Sequence, residues 1–151
     1  MRRIVFAMAA LAVGVTAVVA QSDVIVARRT IMKANGQSGY VNLNKMVRDQ
    51  MPYDQAKVDE AFAQFIDASK KMPALFPPNS YTGPTADDDY YTSQKAFENK
   101  SDLEARFVKL GKEAEENKDK VKDLTSLKAI WPKLKESACD GCHEPYRVKK
   151  G

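Results

Sequence analysis

The stretch whose reading decides the fold is LTSLKAIWPKLKESACDGCHEPYRVKK, Leu124 to Lys150. Leu127, Ile130, Trp131, Leu134, Ala138 and Cys142 recur three and four residues apart, the spacing of one helix face. Asp123 or Thr125 supplies a start signal, so the spacing predicts a helix over Thr125 to Val148. Pro132 is expected to kink it or to mark its true beginning, because a proline inside a helix removes a hydrogen bond and clashes with the preceding turn. Near the end of this segment stand both cysteines of the chain, Cys139 and Cys142, and its only histidine, His143.

Three further segments of helical period precede it. About Asp23 to Asp49, Val24, Ala27, Ile31, Met32, Val41, Leu43 and Met46 form an inward stripe, with Asp23 as a candidate N-cap. Gly36 and Gly39 weaken its middle by up to about 1 kcal/mol each relative to alanine, which implies a bend or a close approach of another body to the backbone. The second segment follows Pro52. Asp54 can cap it, and Val58, Ala61, Phe62, Phe65, Ile66 and Met72 line one face up to the stop at Pro73. The third, about Ser93 to Lys118, sets Phe97, Leu103, Phe107, Leu110 and Ala114 on one side, with lysines and glutamates on the other. Between the second and third lies a proline-rich connection that either packs through Leu75, Phe76, Tyr81, Tyr90 and Tyr91 or serves a partner. Four amphipathic segments, joined by short connections and one long one, predict an all-α fold, an antiparallel four-helix bundle in a single domain.

The chain opens MRRIVFAMAALAVGVTAVVA, two arginines followed by an apolar run that ends in small residues. This is the pattern of a bacterial export signal, with the cut expected after Ala20. Residues 21–151 then form the domain. Losing two arginines and no acids lowers the formal charge from +4 to +2, too mild an excess for a nucleic-acid protein. Charged residues interrupt every later apolar segment, so no stable membrane insertion is expected, and the destination is the periplasm. Thiols seldom stay free in that oxidising compartment.

Cys139, Asp140, Gly141, Cys142 and His143 satisfy C-x-x-C-H, the pattern of covalent haem attachment. Residues three apart share a helix face, so both sulfurs can bond one haem edge while the adjacent imidazole turns beneath the iron. Gly141 would let the porphyrin edge pass close to the backbone. A thiol–disulfide oxidoreductase motif normally opens a helix after a strand, and this one closes the last helix of an all-helical pattern. A structural zinc site usually takes four protein ligands, and two cysteines and one histidine are on offer. A haem-free helical redox or adaptor protein is the remaining alternative. The ligand facing His143 then sets the behaviour: a filled sixth position favours electron transfer, an open one the binding of small gases. With no second histidine, the soft candidates after the export signal are Met32, Met46, Met51 and Met72, each of which also suits plain core filling.

The segments DVIVARRTIMKANG, YDQAKVDEAFAQFIDASKKMPALFPPNS, KDLTSLKAIWPKL and CDGCHEPYR, with the motif at the far end of the last helix, resemble the class II cytochromes c, the cytochrome c′ family. The likeness spans essentially the whole exported chain. It implies a four-helix bundle holding one covalent haem c through Cys139 and Cys142, with His143 as proximal ligand. In many members an apolar residue covers the distal face of a five-coordinate, high-spin iron. A low-spin subgroup has methionine at that place, which here is Met32. The resemblance therefore implies a periplasmic one-electron carrier, not an enzyme, with His143 and Met32 on the iron; a five-coordinate cytochrome binding NO or CO is the other branch. It further places Arg28 near a haem propionate and matches Tyr146 and Arg147 to family positions after the histidine. Pro145 departs from the pattern and is expected to distort the helix just below the haem. Redox partner proteins of the periplasm are implied, and a homodimer is one assembly open to such bundles. The acidic run Asp87 to Asp89 and the basic Arg147, Lys149 and Lys150 are candidate docking features.

Overall fold

The computed structural model describes residues 9–83 and 89–151, with side chains from residue 22 onward. Residues 1–8 of the expected export signal, and Asp87 and Asp88 of the acidic run, lie outside the described residues.

Four helical rods pack as an up-down-up-down bundle. The first comprises α1 (Ala9–Asn35), a π-helical stretch over Gly36–Leu43 and α2 (Asn44–Val47). The second is α3 (Gln55–Lys71), followed by a 3₁₀ turn over Met72–Leu75. After the long connection come a short strand β1 (Tyr90–Thr92), one helical turn α4 (Lys95–Glu98) and the third rod α5 (Lys100–Asn117). The fourth joins α6 (Leu124–Leu134), a second π-helical stretch over Lys135–Asp140 and α7 (Gly141–Tyr146), and the chain then turns into strand β2 (Arg147–Lys149). Neighbouring rods are in contact: the first packs on α3, α3 on α5, α5 on the fourth rod, and α2 closes back on α6.

Local chemistry sets the ends. Asp54 has extended backbone and accepts from the Lys57 amide at 3.2 Å, starting α3 as its N-cap. Asp123 does the same for α6 in a reciprocal capping box, accepting from the Ser126 amide at 2.7 Å while the Ser126 hydroxyl accepts from the Asp123 amide at 3.1 Å. Asp123 is thus the start signal, and Pro132 does not mark the beginning of the helix; it lies in the last turn of α6, and the π-helical stretch begins three residues later. Pro73 falls in the 3₁₀ turn that ends the second rod, where the sequence places the stop.

Two buried clusters fill the bundle. One gathers Leu43, Met46, Val58, Phe62, Phe65, Leu110, Leu127, Trp131 and Leu134. Trp131 stacks on Phe65, centroids 5.7 Å apart with rings 7° from parallel, and its indole N–H donates to Asn44 Oδ1 at 2.7 Å. Gly39 explains itself here: a Cβ at that position would stand 2.7 Å from Trp131 Cη2, so the glycine lets the first rod approach the fourth. The second cluster holds Ala68, Met72, Phe76, Leu103, Phe107 and Tyr146. The long connection packs into it through Phe76, which meets Phe97 and Phe107, while Tyr81 meets the edge of Phe97. The sequence gives no hint of strand structure in this connection. Yet β1 pairs antiparallel with β2, Tyr90 opposite Lys149 and Thr92 opposite Arg147, tying the connection to the segment that follows the cysteine motif.

Candidate haem site

Where the two clusters meet, the rods enclose a cavity of about 550 Å³, within the range of cofactor-sized sites. Its walls include Met32 from α1, Met72 after α3, Phe107 from α5, and Cys139, Cys142 and His143 from the fourth rod. All three motif residues thus reach one space. Cys139 lies in the π-helical stretch and packs against the first cluster; Cys142 lies in α7 and packs against the second. π-helical turns recur at functional sites because the extra residue re-aims the side chains around it. Here one ends at Asp140, inside the motif, and the other faces the cavity through Gly36 and Tyr40.

Burial governs the chemistry of these groups. It pushes the Cys139 thiol up to about 12, with the Asp140 charge adding to the effect, and the Cys142 thiol up to about 11. Thiol–disulfide exchange relies on a depressed thiol, so the direction of both shifts opposes that chemistry. Burial, reinforced by the Arg147 charge, lowers His143 to about 4 and keeps its ring neutral, the form that ligates metal. Its Nδ1 is buried without a hydrogen-bond partner, a cost a protein rarely bears unless a further group completes the site. Gly36 adds space: a Cβ there would find nothing within 4 Å. Two thiols on one wall, a neutral imidazole with an orphaned nitrogen and an open backbone on the facing rod fit a covalently held planar group with a metal at its centre. Among the described residues, no group of three or more His, Cys, Asp or Glu is placed to hold a bare metal ion.

The family model described as Cytochrome C′ matches residues 23–147. The chain belongs to the cytochrome c′ family. A cytochrome c-556 of Rhodopseudomonas palustris is 34% identical over 151 residues, covering 100% of both chains. A cytochrome c′ of the same organism is 36% identical over 132 residues, 87% of this chain and 86% of its own. The solved structure of a Rhodopseudomonas palustris cytochrome c′ superposes with a TM-score of 0.75 at 35% identity, covering 85% of this chain and 98% of that one. Members of the family carry one covalent haem c, and the two cysteines here fit that attachment. The protein is a monohaem cytochrome of electron-transfer type in a four-helix bundle.

The other residues singled out in the sequence divide in the structure. Met46 is sealed in the first cluster, and Met51 lies beside the Lys57 ammonium at 3.9 Å; neither is among the cavity-lining residues. Met32 and Met72 both are, which narrows four methionines to two. Arg28 lines the cavity too, but its guanidinium holds the long connection: it donates to Leu75 O and Ser80 Oγ at 3.1 Å and to Ser80 O at 3.0 Å, and covers the Phe76 ring at 4.8 Å. Burial lowers its pKa to about 10. Arg147 is exposed and stacks on Tyr90 at 4.5 Å, next to His143. Tyr146 is buried with its hydroxyl donated to Asp102.

Sequence reasoning overlooked Tyr40, Lys135 and Arg106. Tyr40 donates to Asp140, which also receives Lys135, so the two π-helical stretches are bound to each other beside Cys139. Burial first, then the Asp140 carboxylate, pushes the Tyr40 phenol well above its ordinary value. Nothing in a spacing pattern ties residue 40 to residue 140. Arg106 had a visible but bland signal, an Asp102-to-Arg106 pair at i,i+4 that reads as an ordinary surface salt bridge.

Proposed function

We propose that this protein is exported to the periplasm with residues 1–20 removed, and that it works there as a one-electron carrier rather than an enzyme. His143 and Met32 would be the two residues that hold its haem iron. The observation that supports this reading most is that His143 and Met32, on the fourth and first rods, line the same cavity as both cysteines. When bound, haem supplies a one-electron couple, and a thioether opposite an imidazole favours the reduced form. The chain's own residues hold the two thiols on one wall, keep the His143 ring neutral by burial and exclude water with Phe65, Phe76, Leu103, Phe107 and Leu110. Met32 is preferred to Met72 because Met72 is fully buried in the second cluster, whereas Met32 lies at its margin, one turn before the open backbone of Gly36. Relatives named cytochrome c-556 and cytochrome c′ are about equally similar, so the choice of sixth ligand rests on this chain's own residues.

Export is supported by Arg2, Arg3 and the apolar run that follows; among the described residues no helix is long and apolar enough to cross a membrane. The expected cut falls within α1, so the first rod of the exported chain begins at Gln21. Its partners are periplasmic redox proteins. Pairing of two copies is an open assembly, read by sedimentation.

A ferric spectrum decides the ligation. Low-spin signals with a methionine-to-iron charge-transfer band are expected, converting to high spin with carbon monoxide binding to the ferrous form in Met32→Ala but not in Met72→Ala. A wild-type protein already high-spin and open to carbon monoxide would overturn the Met32 assignment and select the five-coordinate, gas-binding branch. Intact mass of periplasmic material reads both the cut and the covalent haem.

A further inference from the structure

In an α-helix the amide of residue 145 donates to the carbonyl of residue 141. Pro145 has no N–H, so the carbonyl of Gly141, set between the two motif cysteines, loses its main-chain donor. The structure shows a replacement arriving from another rod: Arg106 Nη1 of α5 donates to Gly141 O at 2.5 Å. The rest of the guanidinium is fixed as well. Its Nε donates to Asp102 Oδ2 at 2.6 Å, the Tyr146 hydroxyl donates to that same Asp102 oxygen, and the Tyr146 ring lies under the guanidinium carbon at 5.5 Å. Asp102 therefore holds both the arginine and the aromatic residue that follows the proline.

We propose that Arg106 is a positioning residue for the haem-bearing turn, its side chain standing in for the main-chain donor that Pro145 lacks and so docking Cys142 and His143 against α5. The arrangement differs from an ordinary helix in two respects. The donor belongs to a different rod, so the turn is registered against the bundle as well as within its own helix. It is also a permanent cation on the cavity wall, which favours the less positive state of a redox centre there.

This rests on Cys139, Cys142 and His143 carrying haem, and the test separates the two claims. Holoprotein variants Arg106→Met, Pro145→Ala and the double are compared by amide hydrogen exchange over residues 142–147, ferric electron paramagnetic resonance and reduction potential. A hydrogen bond from a charged donor corresponds to roughly a tenfold to hundredfold change in a local opening equilibrium. Arg106→Met should speed exchange by that factor and broaden or split the ferric signal. Adding Pro145→Ala, which restores an N–H at the right place, should return exchange to within about threefold of wild type and restore a single ferric signal. The reduction potential should stay lowered in the double variant, because the charge is still missing. Exchange unchanged in Arg106→Met, or a double variant with no recovery, would overturn the proposal. If Arg106→Met does not accumulate, Asp102→Asn takes its place; it should give a smaller acceleration of the same sign that Pro145→Ala also cancels, and no such cancellation counts against the proposal. A periplasmic chain without added haem mass would sink the haem reading, while the exchange coupling between positions 106 and 145 would still be measured.

Discussion

Replacing Gly39 by alanine should destabilise the protein, against the usual effect of that change in a helix. Intrinsic propensity alone would favour alanine by about 0.5–1 kcal/mol. The structure opposes it, because the new Cβ would stand 2.7 Å from Trp131 Cη2, 3.1 Å from Phe65 Cζ and 3.2 Å from Trp131 Cζ2. Neither ring can give way cheaply. Both are about 1% exposed, they are stacked on each other, and the indole is held to Asn44. Overpacking of a well-filled core costs about 1–3 kcal/mol, which leaves a net loss of roughly 0.5–2 kcal/mol. For a domain of this size the midpoint temperature should fall on the order of 5 °C. The assay is thermal and urea unfolding of the ferric holoprotein followed by far-ultraviolet circular dichroism. Gly36→Ala is the internal control, since a Cβ there meets no protein atom within 4 Å, and any penalty it shows comes from the cavity rather than from the rods. Combining Gly39→Ala with Trp131→Phe should be non-additive by at least about 0.5 kcal/mol, because the smaller ring lacks the atom that clashes. A Gly39→Ala protein as stable as wild type would refute the reasoning.

Other consequences can be checked in the same way. Trp131→Ala should cost about 3–5 kcal/mol in urea unfolding, through lost burial and the cavity it leaves. Arg28→Leu leaves the Ser80 carbonyl without its buried donor and frees the long connection; limited proteolysis should cut within residues 77–83 at least tenfold faster, at a stability cost of about 1–3 kcal/mol. The Ser126 amide and hydroxyl hold the Asp123 carboxyl below its ordinary value of 3.8, so its contribution is full above that value and is lost as the pH falls through the lowered one. Asp123→Ala should therefore lower the urea midpoint at pH 7, with the gap to wild type closing below about pH 4. A gap that persists unchanged at pH 2.5 would contradict the capping assignment. Tyr40→Phe removes the phenol that joins the first rod to Asp140, and should speed amide exchange at residues 36–43 and 135–140 together.

The rods were legible because each buries a face whose residues recur at the helical period, and because Asp54, Asp123 and Pro73 are chemically specific about ends. The motif was legible as a unit for a similar reason: five consecutive residues carry the whole pattern. What could not be read were features that depend on partners far along the chain. The pairing of Tyr90–Thr92 with Arg147–Lys149 joins segments of no marked strand pattern. The resemblance places Arg28 near a haem propionate; spacing does not show that its guanidinium also donates to Leu75 and Ser80, because a buried guanidinium satisfies its donors with whatever oxygens the fold brings near. Pro145 does not break the helix as expected, since α7 runs through it to Tyr146; the Gly141 carbonyl instead receives Arg106 from another rod, whose i,i+4 pairing with Asp102 conceals this contact. Pro132 showed in the sequence as a break, but the π-helical stretch it precedes did not, since extra winding leaves no mark in hydrophobic spacing.

That winding gives the fourth rod an angular phase as well as a length. A π-helical stretch carries an extra residue that an α-helix would not contain. Were the same residues wound as an ordinary α-helix, that surplus residue would turn everything beyond it by about 100°. Cys139 to His143 would keep their order, spacing and chemistry, but would face a different neighbour. The winding of this short stretch, as much as its residues, therefore aims the motif. A chain can carry an intact C-x-x-C-H and still miss its cavity if the turns leading to it are wound as plain α-helix.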